Sequence, residues 1–444
     1  MKKRPNILFL MSDEHRPDVT GYEGNKVIRT PTLDRLAREG VVFRNAYTPS
    51  PICIPGRQCL ASGQLPKTSG CESYGQDLEP GTMTFARRFS QYAYRTICAG
   101  KLHHMGADQM QGWTERIAGD LQVAPPFIEG LRAEEKARYP VPEGRGKWSN
   151  QQELAEARPG MGPCREFDQT VYEETRKKLT QHFFDPEYRK PKDHFPLLYK
   201  VSFKQPHYPY FTDEVRFRYY YDRAPVFRDE PGDHPVLRTS QLGDSFLAPE
   251  EDARRTTAAY YGMIDQVDEY YGGILAHLER LGQNLDDWII VYTSDHGEML
   301  GQHGIWEKTR FYEASVRVPL IIRWPKGFAG GRVVTENVNL CDLFATLCEL
   351  AEIPVPPEAS DSRSLVPLLK GEPTTWDNET ISQVWGKHLM IKRDALKYQF
   401  YSEDGPEVLF DLEADPGETQ NVIDDPQYTL KVAAFRQRKG ELGF

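Results

Sequence analysis

The sequence predicts an α/β domain with a large, mainly parallel sheet flanked by helices, followed by a smaller α+β domain containing an antiparallel sheet. Three observations carry that expectation. Short apolar runs of β type alternate with segments whose apolar residues recur every three or four positions, the signature of strands joined by helices. After Gly371 the alternation stops, and short β-type runs follow one another directly. The chain has 444 residues, enough to bury one large core and a second, smaller one, with expected domains at 1–372 and 373–444.

Asn6–Met11 reads as the first strand. Thr30-Pro31 opens a helix with Leu33, Leu36 and Ala37 on one face, closed by Gly40. Phe85, Phe89 and Tyr92 mark a second helix, followed by a strand at Arg95–Ala99. The segment between His104 and His194 is polar and punctuated by Pro and Gly, too long for a plain connection. Leu197–Phe203 is a strand, and the run Tyr208–Arg228 suits either core packing or a substrate wall. From about Thr257 to Leu281 runs a long helix with Ile264, Val267, Tyr271, Ile274, Leu278 and Leu281 as its stripe. Trp288–Thr293 and Val318–Trp324 are further strands. Thr380–Val384, His388–Ile391, Lys397–Tyr401 and Glu407–Leu412 read as an antiparallel meander, closed by a helix at Tyr428–Arg438.

A formal net charge of −10 excludes a nucleic-acid surface as the main partner and leaves the capture of an anionic substrate to local basic residues. No apolar stretch is long enough to span a bilayer, so no membrane partner is expected. Met1-Lys2-Lys3-Arg4 is followed by too short an apolar run for a signal peptide, and the expected location is the cytoplasm. Seven cysteines, an odd number without a dense framework, fit reduced thiols in that compartment. Self-association into a homo-oligomer stays open.

The chemistry gathers at strand ends, where open parallel sheets bind ligands. Asp13-Glu14 follow the first strand, Gly100-Lys101-Leu102-His103-His104 the second, Gln205-Pro206-His207 the third, and Ser294-Asp295-His296-Gly297 the fourth. The chain holds only 11 histidines, so their concentration at these ends is not that of random loops.

Cys53-Ile54-Pro55-Gly56-Arg57 matches Cys-x-Pro-x-Arg. Together with the opening strand and Asp13, Thr30–Leu36, Gly100–His103, Ser294–Glu298, Lys308, Val318-Pro319-Leu320 and Leu409–Glu418, it resembles the formylglycine-dependent sulfatase family of the alkaline phosphatase superfamily. Gly100–Trp113 is similar to choline-sulfatase-like members, and the cytoplasmic phosphonate monoester hydrolases share the general pattern. The resemblance implies an alkaline phosphatase-like fold and conversion of Cys53 to formylglycine by a formylglycine-generating enzyme. It also implies one divalent metal on Asp13, Cys53, Asp295 and His296 and a small-molecule sulfate ester as substrate. Ca²⁺ is the implied ion, while the His296 nitrogen leaves Mn²⁺ open.

In that scheme the hydrated aldehyde of residue 53 attacks sulfur with one hydroxyl and expels sulfate with the other. Arg57 steadies the diol, Lys101 and Lys308 hold sulfate oxygens, His103 takes the proton of the second hydroxyl, and His207 protonates the leaving alcohol. His104 and Tyr74 either border the substrate or lie on the surface. Two positions depart from the common pattern: Gly56, where many members have Ser or Ala, and Glu14, where many have Asp. Phosphonate monoester or phosphodiester hydrolysis is the alternative within the superfamily. An inactive relative that binds sulfated ligands is disfavoured by the intact set of site residues.

Overall fold

The structure, a computed structural model, describes residues 4–120, 150–184, 195–228, 247–402 and 405–444. Eight strands form the main sheet: β1 (Asn6–Asp13), β2 (Val41–Phe43), β3 (Arg95–Gly100), β4 (Glu115–Ile117), β5 (Leu197–Pro206), β6 (Trp288–Ser294), β7 (Leu320–Arg323) and β8 (Arg332–Val334). Their order is β8-β2-β7-β6-β1-β5-β3-β4. Only β7 runs against its neighbours β2 and β6; the other pairings are parallel.

A strand buried on both faces must be apolar on both, and β1 is. Ile7, Phe9 and Met11 join a core with Phe85, Phe89, Leu343 and Phe344. Leu8 and Leu10 point the other way, into a core with Val171, Leu179, Val267 and Tyr271. The helices therefore lie on both sides: α1 (Pro31–Glu39), α2 (Cys53–Ser62), α3 (Phe85–Gln91), α4 (Pro163–Phe184), α5 (Glu250–Arg280) and α6 (Asp342–Leu350). A second sheet, β9 (Glu379–Val384), β10 (His388–Arg393), β11 (Leu396–Tyr401) and β12 (Glu407–Asp411), is the expected antiparallel meander. It is covered by α7 (Thr429–Glu441), whose Phe435 stacks on Tyr398 with ring centroids 5.5 Å apart.

The departures from expectation have local causes. Helix α5 begins at Glu250, two turns early, because its first turn is acidic and partly exposed and carries no apolar period. Strand β7 is shorter than Val318–Trp324: the Val318 N–H donates to Ala46 O at 2.9 Å, and Trp324 already turns the chain by accepting from Gly327 at 2.8 Å. Part of the segment between His104 and His194 is helical in α4; residues 121–149 and 185–194 lie outside the described residues. All seven cysteines are buried and unpaired. No helix among the described residues is long and apolar enough to cross a membrane.

Candidate active site

Strands β6, β1, β5 and β3 are consecutive in the sheet and parallel, so their C-terminal ends open on one edge. Each of the four strand-end motifs lands there. Strand β3 ends at Gly100, whose φ of +90° and whose Cβ position, 2.0 Å from Ser202 O, admit no side chain. The chain turns there and delivers Lys101.

Helix α2 brings the nucleophile candidate. Ile52 is extended (φ −139°, ψ 131°) and Cys53 is the first helical residue. Pro55 falls in the first turn, where its missing N–H costs no helical bond. At Gly56 a Cβ would stand 2.9 Å from Ser50 O and 3.2 Å from Asp295 O, so a larger residue would have to push backbone aside.

Cys53 Sγ lies 3.1 Å from His296 Nε2 and 3.7 Å from Asp13 Oδ1. The ligand atoms of Asp13, Cys53, Asp295 and His296 all lie within 4.8 Å of one another, and all four residues are buried. His296 Nδ1–H donates to Gly297 O at 3.0 Å, which turns the Nε2 lone pair toward the cluster. Two carboxylates and an imidazole nitrogen thus converge beside the Cys53 sulfur, a donor set that fits a hard divalent cation.

Arg57 organises the carboxylates. Nη2 donates to Asp13 Oδ2 at 2.8 Å and Nε to Asp295 Oδ2 at 2.7 Å. Nη1 donates to Lys101 O at 2.7 Å and to Ser202 Oγ at 2.9 Å. Four of its five N–H directions are therefore committed to holding the site together. Lys101 Nζ pairs with Asp13 Oδ2 at 2.5 Å. Burial works against ionising Asp13, yet Lys101 and Arg57 outweigh it and hold the carboxyl well below its ordinary range. Burial, then the Asp13 charge, pushes the Cys53 thiol up to about 12 despite Lys101 and Lys308 nearby. A bare thiol here is not activated by its surroundings.

Glu14 adopts φ 64° and joins two parts of the site. Its N–H donates to Asp295 Oδ1 at 3.1 Å, and its Oε2 accepts from Lys308 Nζ at 3.1 Å. Lys308 also donates to His207 Nε2 at 2.8 Å, while His207 Nδ1–H donates to Tyr208 O at 2.6 Å. Burial, then Lys308 and Lys101, lowers His207 well below its ordinary range, consistent with a neutral ring. Asp13, Glu14 and His207 form a second cluster of ligand atoms, and the Lys308 ammonium already contacts two of its members.

His103, at φ 61°, is fixed through its backbone: the Leu102 and His103 N–H groups donate to the two oxygens of Asp120, each at 2.9 Å. Tyr74, 60% exposed, stands edge-on to the His103 ring at 5.7 Å. His104 is not a surface residue: it is buried and bonded to Gln58 at 3.0 Å. Ser202, Asp120 and Gln58 were not foreseen. For Ser202 a signal exists, since Lys200 and Ser202 alternate as polar residues on one face of an apolar strand. Asp120 and Gln58 carry none.

The sulfatase family profile matches residues 5–353, and the profile of the N-sulphoglucosamine sulphohydrolase C-terminal region matches residues 301–442. The choline-sulfatase of Rhizobium meliloti (strain 1021) is 31% identical over 98% of this chain and 86% of its own length. The arylsulfatase of Clostridium perfringens (strain 13 / Type A) is 29% identical over 98% of this chain and 93% of its own. Among solved structures, the phosphonate monoester hydrolase of Agrobacterium radiobacter superposes with a TM-score of 0.79 at 23% identity, covering 99% of this chain and 95% of that one.

Proposed function

The chain belongs to the sulfatase family, within the alkaline phosphatase-like superfamily, and from that premise we propose that it hydrolyses sulfate monoesters through a formylglycine formed from Cys53. The observation that carries this is the meeting of Cys53 with Asp13, Asp295 and His296 inside 4.8 Å. In this scheme the three side chains and the modified residue 53 hold one divalent cation. Ca²⁺ suits the carboxylates, and the His296 nitrogen also admits Mn²⁺. When bound, the cation supplies charge stabilisation for the sulfate oxygens. The hydrated aldehyde supplies two hydroxyls, one to attack sulfur and one to expel sulfate.

Arg57 keeps the two carboxylates in place. Lys101 and Lys308 bind sulfate oxygens and stabilise charge that grows on them. His207 takes up a proton at Nε2 when substrate draws the Lys308 ammonium onto the sulfate, and passes that proton to the leaving alcohol. His103 receives the proton of the second hydroxyl. Residues 1–372 carry this chemistry and 373–444 serve as an accessory domain. Seven unpaired thiols support a cytoplasmic location, with a formylglycine-generating enzyme as maturation partner. Phosphonate monoester or phosphodiester hydrolysis is the second reading, favoured by the same donor set and by the fold shared with a phosphonate monoester hydrolase.

The test is a substrate screen on protein whose residue 53 has been characterised by mass spectrometry of the 51–57 peptide. Turnover of aryl and alkyl sulfates should scale with the aldehyde fraction across preparations. Full activity in thiol-only protein would exclude the formylglycine mechanism, and a higher kcat/KM on phenyl phosphonate esters would establish the second reading.

A further inference from the structure

A small pocket of about 10 Å³ adjoins Arg57, with Lys200, His104, Gln111, Thr84 and Trp113 among its walls. That volume accommodates one water molecule. Two of the lining side chains, His104 at 4% and Gln111 at 3% exposure, carry polar atoms without a hydrogen-bond partner among the described residues: His104 Nε2 and Gln111 Oε1. The chemistry of the two atoms is complementary. Gln58 Nε2–H donates to His104 Nδ1 at 3.0 Å, so a neutral ring bears its proton on Nε2 and is a donor there. Gln111 spends its amide N–H on Asp77 Oδ1 at 2.8 Å, which leaves Oε1 as an acceptor. Lys200, buried at 3% exposure with its ammonium 5.2 Å over the Phe9 ring, adds a second donor.

We propose that one ordered water molecule occupies this pocket, accepting from His104 Nε2–H and Lys200 and donating to Gln111 Oε1, and that His104 acts through it as a positioning residue for the loop carrying Lys101 and His103. Buried polar groups are almost always satisfied, and a water with three partners satisfies both orphans at once. The network ties together four parts of the site. Gln58 follows Arg57 on α2 and also donates to His103 O at 3.3 Å. Lys200 lies two residues before Ser202, which accepts from Arg57. Gln111 belongs to the segment that follows the loop, and His104 ends the loop itself.

The kinetic part rests on the proposed sulfatase activity; the structural part does not. A crystal structure of the full chain should show a density peak within hydrogen-bond distance of His104 Nε2 and Gln111 Oε1, with no anomalous signal after a bromide soak. A dry or collapsed pocket, or a bromide peak in it, overturns the water. On an aryl sulfate, His104→Phe should lower kcat about tenfold or more with KM within twofold, because it moves catalytic groups without touching substrate. His104→Gln, which keeps an acceptor and a donor, should restore most of that rate. Gln111→Leu gives a second route to the same loss if His104→Phe fails to fold. Unchanged kcat in both variants, or no rescue by Gln, overturns the positioning role. A wild-type protein without any sulfatase activity would instead refute the proposed function and leave the crystallographic result to decide the water.

Discussion

Two clusters of buried charge can be set side by side. At the catalytic edge Asp13, Asp295 and His296 turn their acceptor atoms on one another within 4.8 Å, and Arg57, Lys101 and Lys308 surround them. At the junction with the C-terminal sheet, Lys397 is fully buried; its ammonium donates to Phe311 O and Glu313 Oε1, each at 2.8 Å, and forms an ion pair with Glu418 Oε1 at 2.5 Å. The remaining acceptors there are matched too: the Glu313 N–H donates to Glu418 Oε2 at 2.7 Å and Tyr47 OH to Glu313 Oε2 at 2.9 Å. Buried charge is common to both. What separates them is that the junction's ammonium is enclosed by its own acceptors, while at the edge Asp13, Asp295 and His296 gather around the Cys53 sulfur as potential ligands of a cation.

Replacing a group at each cluster should break or sharpen that contrast. The largest effect is expected for Asp295→Asn, which removes both charge and a ligand. It should cost about a thousandfold in kcat/KM on an aryl sulfate and lower the metal content measured by mass spectrometry. Full activity of this variant after chelation would remove the metal assignment. Lys101→Ala should fold normally and lose about a hundredfold in kcat through one missing preorganised charge; wild-type turnover would rule out its sulfate-binding role. Lys397→Met should do the reverse, because it strands two carboxylates. Denaturant unfolding should show a loss of about 3–5 kcal/mol, while kcat per folded molecule stays at the wild-type value. A kcat loss in step with Lys101→Ala would erase the distinction between the clusters.

The smallest effect concerns pH. Burial lifts the Glu418 carboxyl from an ordinary 4.5 to about 7, with Lys397 pulling the other way. A folded-state value above the unfolded one gives stability that is full below pH 4.5 and is lost as pH rises through 7. Glu418→Gln mimics the protonated form at every pH, so the wild type should lose about 2 °C or more in Tm against the variant between those limits. A constant difference across the range would contradict that linkage.

The four strand ends could be read in the sequence because parallel strands buried on both faces are continuous apolar runs, and their polar successors stand out. Asp13, Lys101, His103, His207, Asp295 and His296 were visible for that reason. Their neighbours in space were not. Strand order is a long-range property, so nothing in the sequence says that Lys308 bonds Glu14 across 294 positions, or that Arg57 reaches Ser202 across 145. The strands Val41–Phe43, Glu115–Ile117 and Arg332–Val334 are three residues long and show no period. Helix α2 was hidden by Pro55 and Gly56, which look like a turn. Asp120, which fixes the Lys101–His103 loop through two backbone bonds, is an ordinary loop acid until the chain is folded.

The tight seat of Gly56 has a consequence for timing. Every residue from Cys53 to Gln58 is buried, and the space beside Gly56 where a side chain would start is taken by the carbonyls of Ser50 and Asp295. Asp295 belongs to a strand end synthesised some 240 residues later. An enzyme that grips this segment as an extended peptide has access to it only while the later strands are still missing or unpaired. In the proposed function, the competence of each molecule is therefore decided during its own synthesis. On that reading a chain that folds first would keep its thiol for as long as it stays folded, and the aldehyde fraction of a sample would record a race between folding and modification.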